Sequence, residues 1–294
     1  MQNNRVARDI SYAGSASTRG GRIVIRAMEN TTGRLRLIRK ARGYEREVAK
    51  GGDFWRVMTD CYDLKLNVVS GTLENIPRTG PLIVVSNHPY GILDGMMMGR
   101  ILSERRGGEF KILANSVFMK APDLGRAILP ISFDETKEAA RLNLETRRNA
   151  IRYLDDGGAI GVFPAGTVST SARPFSTPMD PQWRNFTAKM IAKSDATVVP
   201  IFFEGTNSRL FQLASHLHVT LRMGMYIREF RNRVSSDVRV AIGAPIPMEQ
   251  LDIHKSNAKS CMAFLRKATY ELSSEPLPAH VFGHEFDARY KGKD

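Results

Sequence analysis

The stretch that decides the fold is Pro81-Leu82-Ile83-Val84-Val85-Ser86-Asn87-His88-Pro89-Tyr90-Gly91-Ile92-Leu93-Asp94-Gly95. Its first half is a short, apolar and β-branched run that follows a proline, a pattern typical of a strand buried inside a sheet. His88 therefore stands where this strand ends. A proline and a glycine then interrupt the chain, and the apolar run after Gly95 predicts a helix that opens at Asp94.

The separation between His88 and Asp94 is neither three nor four residues, so a continuous helix would not place them on one face. If the turn between them folds them together, the carboxylate can hold one imidazole nitrogen while the other nitrogen accepts a proton from a substrate hydroxyl. A second interpretation stays open at this point. Asp94 could serve only as a helix cap, and His88 could bond only to the backbone.

The rest of the chain alternates between segments with the apolar pattern of a strand and segments with that of a helix. Strands are predicted at 63–70, 82–85, 110–114, 159–163, 197–203 and 237–243. Helices are predicted at 33–48, 95–106, 117–120, 135–156, 182–193, 210–233 and 256–272. This alternation predicts an α/β fold, a single domain with a mixed, largely parallel sheet flanked by helices.

Three regions follow from this pattern. Residues 1–62 form a basic N-terminal extension with an amphipathic helix, residues 63–250 form the main domain, and residues 251–294 form a C-terminal helix and tail. The tail after Glu275 is polar, which predicts a loose segment. The sequence contains no internal repeat, and it contains no linker that would separate a second domain.

Polar and turn residues follow three of the predicted strands. We call the segment that follows the carboxyl end of such a strand its exit. The first exit contains His88. The second exit is Phe163-Pro164-Ala165-Gly166-Thr167-Val168-Ser169, and the third is Glu204-Gly205-Thr206-Asn207-Ser208-Arg209. The ligand sites of α/β domains gather at the carboxyl ends of their strands. We therefore expect the three exits to form one site.

The charge balance is strongly basic, with a net charge of +13 and a pI near 10.0. The first fifty residues alone carry twelve basic residues against four acidic ones. This excess favours an acidic partner, and the candidates are anionic lipid, an acidic carrier protein and nucleic acid. Nucleic acid is disfavoured because the arginines lack interleaved aromatic residues and no nucleic-acid motif occurs.

The basic N-terminal helix has an apolar face made of Leu35, Ile38, Ala41, Tyr44 and Val48. Such a helix can lie on an anionic membrane surface, or its apolar face can pack on the protein's own domain. The sequence leaves both alternatives open. No apolar run approaches the ~20 residues that a membrane-spanning helix needs.

The N-terminus lacks the apolar region of a secretory signal. Cys61 and Cys261 are the only cysteines and stand far apart in the sequence. This spacing argues against a disulfide framework and favours a reducing compartment.

Three motifs together resemble the lysophospholipid acyltransferase family, which includes the enzymes that convert lysophosphatidic acid to phosphatidic acid. They are Asn87-His88 followed by Asp94, the run at 163–169, and Val198-Val199-Pro200-Ile201. One residue more than usual separates His88 from Asp94. That spacing resembles a bacterial branch often labelled hemolysin-like, to which lyso-ornithine lipid acyltransferases are related. The likeness covers roughly residues 75–245.

The resemblance implies an O-acyltransferase of membrane lipid biosynthesis. The acyl group would pass from a thioester donor, acyl-CoA or an acidic acyl carrier protein, to the hydroxyl of a lysolipid such as lysophosphatidic acid or a lyso-ornithine-type lipid. His88 would be the general base and Asp94 would fix its tautomer. No cofactor is implied. We expect a peripheral protein on the cytoplasmic face of the inner membrane.

Two departures from the family pattern concern the phosphate pocket. Where the family has the motif Phe-Pro-Glu-Gly-Thr-Arg-Ser, this chain has Ala165 in place of the glutamate and Val168 in place of the arginine. The family's second motif also ends in an arginine, but the equivalent residues 127–134 of this chain contain none. Positive charge could come instead from Arg126, Arg173 or Arg209. Otherwise the acceptor carries an amino-acid or other non-phosphatidic head group. The candidate substrate-binding residues are Asn87, Phe163, Pro164, Ala165, Gly166, Thr167, Arg126, Asn207 and Arg209.

Two other functions compete with acyl transfer. A metal site could use His280, His284 and Glu285, but a glycine between them weakens any helix there. His216 and His218 are better explained as surface or core residues. The altered 163–169 motif also permits a non-catalytic lipid-binding protein of the same fold, although the presence of both His88 and Asp94 argues against it.

Overall fold

The computed structural model describes residues 11–16, 18–120, 122–132, 134 and 136–286. In this part of the chain the strands are β1 (Lys65–Gly71), β2 (Leu82–Ser86), β3 (Phe110–Asn115), β4 (Ile128–Ile131), β5 (Ala159–Val162), β6 (Thr170–Ser171), β7 (Pro178–Met179), β8 (Thr197–Phe203) and β9 (Asp237–Ile242). Seven of them join into one sheet in the order β1-β9-β8-β2-β5-β3-β4, and β6 pairs with β7 in a short hairpin.

Neighbouring strands of the large sheet are parallel except at one place. β8 and β9 run antiparallel, with Ile201 opposite Ile242, while the pairs on either side of them are parallel. The sheet is therefore mixed and largely parallel, which confirms the predicted fold class. Because β2, β5 and β8 point the same way, the residues that follow them emerge at the same edge.

The helices cover both faces of this sheet. In the described residues they are α1 (Arg19–Thr32), α2 (Arg34–Lys40), α3 (Tyr44–Ala49), α4 (Phe54–Cys61), α5 (Ile92–Arg106), α6 (Pro122–Gly125), α7 (Lys137–Asp155), α8 (Phe186–Ile191), α9 (Arg209–Leu217), α10 (Val219–Arg233), α11 (Met248–Asp252) and α12 (Ala258–Tyr270). Short 3-10 turns occur at Ala13–Ser15, Leu73–Asn75 and Ser116–Lys120. None of these helices is long and apolar enough to cross a membrane.

Strand β2 is buried on both faces. Leu82 and Val84 belong to one core with residues of α4 and α5, while Ile83 and Val85 belong to a second core with residues of α7, α8 and α12. Successive side chains of a strand point to opposite faces, so a strand between two cores needs apolar residues at every position. This explains the uninterrupted apolar run in the sequence.

The N-terminal region differs from the prediction. The predicted helix at 33–48 is two helices, α2 and α3, because the chain turns at Gly43, which has a φ of 92°. Ala41 and Tyr44 are buried in the core beside β2, so this part of the apolar face packs on the protein's own domain. Leu35 is 56% exposed. Helix α1, which was not predicted, precedes both.

The segment predicted as one helix at 210–233 is also two helices. His218 has an extended backbone between α9 and α10, and its Nδ1 accepts a hydrogen bond from the backbone N–H of Thr220 at 3.0 Å. A side chain that caps the second helix in this way ends the first one.

The division of the chain at residues 62 and 250 stays a prediction.

The prediction of a loose C-terminal tail is wrong for residues 279–286. The buried side chain of Arg266 donates from Nη2 to the carbonyl oxygen of Val281 at 2.8 Å and from Nη1 to that of Ala279. The N–H of Gly283 donates to the carbonyl oxygen of Asp180 at 2.9 Å. These partners are distant in sequence, so composition gave no sign of them. Residues 287–294 lie outside the described part.

Two glycines of α5 test the packing of this helix against α4. A Cβ at Gly99 would lie 2.1 Å from Cε3 of Trp55, whereas a Cβ at Gly95 would meet no atom within 4 Å. We expect Gly99→Ala to lower the free energy of unfolding by about 1–3 kcal/mol, because the indole must move out of a filled core. Gly95→Ala is the matched control and should raise it by up to about 1 kcal/mol through helix propensity.

Urea denaturation of the two variants beside the wild type measures both effects. Equal free energies for Gly99→Ala and Gly95→Ala would contradict the close contact between α4 and α5.

Candidate active site

His88 lies in the turn between β2 and α5, and Asp94 lies in the first turn of α5. Gly91 has a φ of 90°, a conformation that favours glycine and lets the chain reverse. Oδ2 of Asp94 accepts hydrogen bonds from the backbone N–H groups of Tyr90 at 2.7 Å and of Gly91 at 2.9 Å. The same oxygen lies 3.0 Å from Nδ1 of His88. The turn thus brings the imidazole and the carboxylate together.

The two side chains differ in their access to solvent. The side chain of Asp94 is fully buried, whereas that of His88 is 18% exposed. The contact between Nδ1 and Oδ2 has the distance of an ion pair but not the angle of a hydrogen bond, and Oδ1 of Asp94 has no hydrogen-bond partner among the described residues. A carboxylate held this way can stabilise an imidazolium when one forms. The pair can therefore act as a general base.

The end of β5 packs directly on the end of β2. The ring of Phe163 stacks on the imidazole of His88, with centroids 4.2 Å apart and planes at 27°. The backbone N–H of Ser169 donates to the carbonyl oxygen of His88 at 2.8 Å. Between them, Gly166 has a φ of 70°, and its N–H donates to the carbonyl oxygen of Phe163 at 3.0 Å. Two of the three strand exits therefore meet at the imidazole.

Other residues of the 163–169 run have partners within the protein. Ala165 is fully buried in the second core, and the carbonyl oxygen of Pro164 accepts a hydrogen bond from the N–H of Arg184 at 2.8 Å. The hydroxyl of Thr167 accepts a hydrogen bond from Nη2 of Arg222 at 3.2 Å. These residues shape the turn beside His88.

Asn87 joins the first exit to the third. Its Nδ2 donates to the carbonyl oxygen of Phe203 at 2.9 Å, and its Oδ1 accepts from the N–H of the same residue at 2.7 Å. The Asn87 side chain is thus used to hold β2 against the end of β8. Asn207 is 4% exposed, and its Nδ2 has no hydrogen-bond partner among the described residues.

Two candidate arginines are on the surface. Arg209 is exposed at the start of α9, after β8. Arg126 is also exposed, but it stands just before the start of β4, and the parallel direction of the strands puts that point at the edge of the sheet away from the strand exits. Arg126 is therefore not brought to the imidazole.

Asp180 is a part of the site that the sequence did not reveal. Its Oδ1 accepts hydrogen bonds from the hydroxyl of Ser169 at 2.5 Å and from the backbone N–H of His88 at 3.2 Å, and its Oδ2 accepts from Nε1 of Trp183 at 2.9 Å. Burial raises the pKa of Asp180, although the hydrogen bonds from Ser169 and Trp183 oppose this effect. This carboxylate joins the backbone N–H of His88 in the first exit to the side-chain hydroxyl of Ser169 in the second.

Arg222 was also missed. It lies on the buried face of α10, one turn before Tyr226 and two turns before Glu229. A charge within an apolar helical stripe is a signal that the sequence did contain, since such charges are rarely buried without a purpose. Asp180, in contrast, stands in an irregular segment where no periodicity marks it.

The histidines of the metal hypothesis form no such site in the described residues. No group of three or more His, Cys, Asp or Glu side chains that could hold a metal ion is found there. The rings of His216 and His284 pack edge to face with centroids 4.9 Å apart, while His280 is exposed.

The two oxygens of Asp180 give a test of this network. Asp180→Asn keeps one acceptor oxygen, but its NH₂ group replaces the other oxygen and then faces a hydrogen-bond donor. We therefore expect the free energy of unfolding to fall by about 1–3 kcal/mol. Trp183→Phe removes the indole donor. The double variant should lose less than the sum of the two single losses, because the amide then has no opposing N–H. Chemical denaturation of the four proteins measures the coupling, and strictly additive losses would contradict it.

Comparisons with known proteins show which family this chain is similar to. The model of a protein family described as "Acyltransferase" matches residues 55–277. The lyso-glycine lipid O-acyltransferase of Phocaeicola vulgatus is 28% identical over 229 residues, which cover 76% of this chain and 78% of that protein. The lyso-glycine lipid O-acyltransferase of Bacteroides thetaiotaomicron is 31% identical over 231 residues, which cover 76% of this chain and 80% of that protein.

Among solved structures, the 1-acyl-sn-glycerophosphate (LPA) acyltransferase PlsC of Thermotoga maritima matches with a TM-score of 0.47 and 16% identity, over 88% of this chain and 83% of that one. The family model covers well over half of the chain. This chain therefore belongs to the acyltransferase family.

Proposed function

We propose that this enzyme transfers a fatty acyl group from a thioester donor to the hydroxyl of a lysolipid with an amino-acid head group. The observation that carries the proposal is the contact of 3.0 Å between the fully buried Asp94 and the partly exposed His88. A base that is reachable from solvent and backed by a buried carboxylate suits the deprotonation of a hydroxyl.

The reaction then needs no covalent enzyme intermediate. The acceptor hydroxyl gives its proton to Nε2 of His88 while its oxygen attacks the thioester carbonyl. The tetrahedral intermediate expels the thiolate, which takes the proton back from the imidazolium and leaves as the thiol. Asp94 stabilises the imidazolium between these steps. The stacked ring of Phe163 holds the plane of the imidazole.

The oxyanion of the tetrahedral intermediate needs hydrogen-bond donors. The N–H of Gly166 does not serve this purpose, because it donates to the carbonyl oxygen of Phe163 at 3.0 Å. It therefore shapes the turn. The donor for the oxyanion must come from another group around His88.

Two observations support an amino-acid head group over a phosphate. Position 165 is a buried alanine, and the side chain of Val168 packs toward Gly91, so neither position of the turn offers a charged side chain that could contact a phosphate directly. Both relatives named above carry the name lyso-glycine lipid O-acyltransferase. The acyl donor, acyl-CoA or an acidic acyl carrier protein, is left open by the chain's basic charge, which suits either.

The first prediction concerns the base. We expect His88→Ala to lower kcat/KM for acyl transfer by about 10²–10⁴-fold, because the hydroxyl loses its proton acceptor. His280→Ala removes an exposed histidine of the same chain and should leave the rate unchanged. The assay is mass spectrometry of the products from a panel of lysolipids, glycine-headed, ornithine-headed and phosphatidic, with labelled acyl-CoA and acyl carrier protein.

A diacyl product made by the wild type and lost in His88→Ala would establish the enzyme and name its acceptor. Equal product from both proteins would contradict the role of His88. If the wild type binds lipid vesicles but forms no product with either thioester, the non-catalytic lipid-binding alternative replaces this proposal. Product from lysophosphatidic acid alone would contradict the amino-acid head group.

We further propose that the enzyme lies peripherally on an anionic membrane, at the cytoplasmic face of the inner membrane. The support is a surface that we call the apolar corner, formed by Ile23, Val24, Leu217 and Val219, which are 69%, 45%, 75% and 55% exposed. The beginning of α1 and the beginning of α10 meet there, since a Cβ at Gly21 would lie 3.8 Å from Oγ1 of Thr220.

Cations stand beside this apolar corner. Arg19 and Arg22, both exposed, belong to the same first turns of α1 as Ile23 and Val24. Exposed apolar side chains flanked by arginines are typical of helices that lie in the interface of an anionic bilayer. The basic amphipathic surface is thus on α1, upstream of the helix in which the sequence predicted it.

The apolar corner can be tested by removing its largest side chains. We expect the double variant Ile23→Ser, Leu217→Ser to bind phosphatidylglycerol vesicles at least about tenfold more weakly, because two side chains no longer enter the bilayer. Ile253→Ser is the matched control. Ile253 is 75% exposed, but it follows α11, a helix that packs on the second core and is not part of the apolar corner. Vesicle cosedimentation measures both. Equal binding by the double variant and the control would contradict this surface.

A further inference from the structure

Arg222 holds a guanidinium group in the interior directly behind the 163–169 turn. The residue is 1% exposed. Its Nη1 donates to the hydroxyls of Thr170 at 2.7 Å and Ser215 at 2.9 Å, and its Nη2 donates to the hydroxyl of Thr167 at 3.2 Å and the carbonyl oxygen of Val168 at 3.0 Å. All four acceptors are neutral.

The remaining neighbours of this group are aromatic. The Cζ atom of Arg222 lies 5.0 Å from the ring centroid of Phe211, 5.7 Å from that of Tyr226 and 4.2 Å from that of Phe286. Burial raises the pKa of Tyr226 and of Tyr12, so neither phenol supplies a negative charge. Among the described residues no carboxylate lies within ion-pair distance of Arg222.

A buried charge without an opposite charge is expensive, and water cannot screen its field. Arginine stays protonated even so. The interior behind the turn therefore carries a full positive charge that hydrogen bonds hold in place but do not neutralise.

The guanidinium is connected to the backbone carbonyl of His88 through one peptide group. The carbonyl oxygen of Val168 accepts from Arg222, and the N–H of the same peptide, that of Ser169, donates to the carbonyl oxygen of His88 at 2.8 Å. In a trans peptide these two groups point in opposite directions, so the charge polarises the N–H that faces His88. A Cβ at Gly91 would lie 3.1 Å from Cγ2 of Val168, which places the turn against the His88–Asp94 loop.

We propose that Arg222 supplies the positive potential by which this site selects an acceptor lipid with an anionic head group, a carboxylate in the amino-acid-headed lysolipids. The inference rests on the proposed function and adds its source of specificity. Arg222 is closed off from solvent and acts through the turn, so it is a positioning and specificity residue and does not touch the substrate. It takes the place of charge that residues 165 and 168 lack.

The alternative role for Arg222 is that of a purely structural anchor for the turn. The two roles differ in what the charge does. An anchor is weakened by the loss of any of its hydrogen bonds and treats all acceptors alike. A source of potential depends on the charge and distinguishes an anionic acceptor from a neutral one.

The experiment uses two acceptors of identical acyl chain, a lyso-glycine lipid with a free carboxylate and its neutral methyl ester. Both are presented in neutral phosphatidylcholine vesicles, so that attraction of the protein to an anionic surface does not contribute. The proteins are the full-length wild type, Arg222→Met, which removes the charge, and Arg222→Lys, which keeps it. Thr170→Val is the control, because it removes one hydrogen bond of Arg222 and leaves the charge.

We expect the wild type to prefer the carboxylate over the ester. In Arg222→Met, kcat/KM for the carboxylate should fall about 10- to 100-fold, mainly through KM, while that for the ester changes less than about threefold. Arg222→Lys and Thr170→Val should keep the preference of the wild type. Raising the salt concentration should change the preference little, since a buried charge is poorly screened.

Equal losses for both acceptors in Arg222→Met would overturn the proposal and leave Arg222 as an anchor. If Arg222→Met does not fold, the wild type still decides, because equal kcat/KM values for carboxylate and ester would overturn the proposal by themselves. Failure of the wild type to acylate either of these lipids or lysophosphatidic acid would instead contradict the proposed function. Acylation of lysophosphatidic acid alone would overturn the carboxylate while leaving acyl transfer intact.

Discussion

Hydrogen bonding of β2 on both sides is the constraint on which the rest of the structure depends. β2 pairs in parallel with β5 and with β8, and every one of its residues is buried. Its chain can therefore leave the sheet only at the edge where β5 and β8 also end. The imidazole of His88, the turn at 163–169 and the amide of Asn87 meet at that edge because the strand order leaves them no other place.

Buried polar groups then fix the exits to one another. Asn87 bonds to the backbone of β8, Asp180 accepts from the backbone of His88 and from Ser169, and Asp94 accepts from the backbone of its own turn. Each group would be costly if left without partners, so the geometry that satisfies them is strongly preferred. The position of the imidazole is in this way set by hydrogen bonds to backbone atoms on either side of it.

The parts of this arrangement that the sequence predicted are those encoded by neighbouring residues. The buried strand β2, the helix after Asp94 and the long helix α7 follow from apolar periodicity and turn residues, and the reversal before Asp94 follows from Gly91. Asp180 could not be predicted in the same way, because it stands in an irregular segment and two of its partners, His88 and Tyr270, are about ninety residues away in the sequence. The break between α9 and α10 was not predicted for a different reason. Both helices share one apolar pattern, and only His218 separates them.

The buried charges of the site are not balanced alike. Arg266 lies close enough to Asp180 to oppose the effect of burial on that carboxyl, and it also bonds to the carbonyl oxygen of Asp180 at 3.2 Å. Arg222 donates to neutral oxygens, whereas Asp94 faces the imidazole of His88 and the backbone N–H groups of Tyr90 and Gly91. The carboxyl group of Asp94 thus lies beside the imidazole of His88, and the guanidinium of Arg222 lies behind the neighbouring turn. The turn packs against the His88–Asp94 loop, because a Cβ at Gly91 would lie 3.1 Å from Cγ2 of Val168. In the proposed reaction the hydroxyl and the head group are separate parts of one lysolipid, so each of these two groups, the carboxyl group and the guanidinium, can act on its own part of the acceptor.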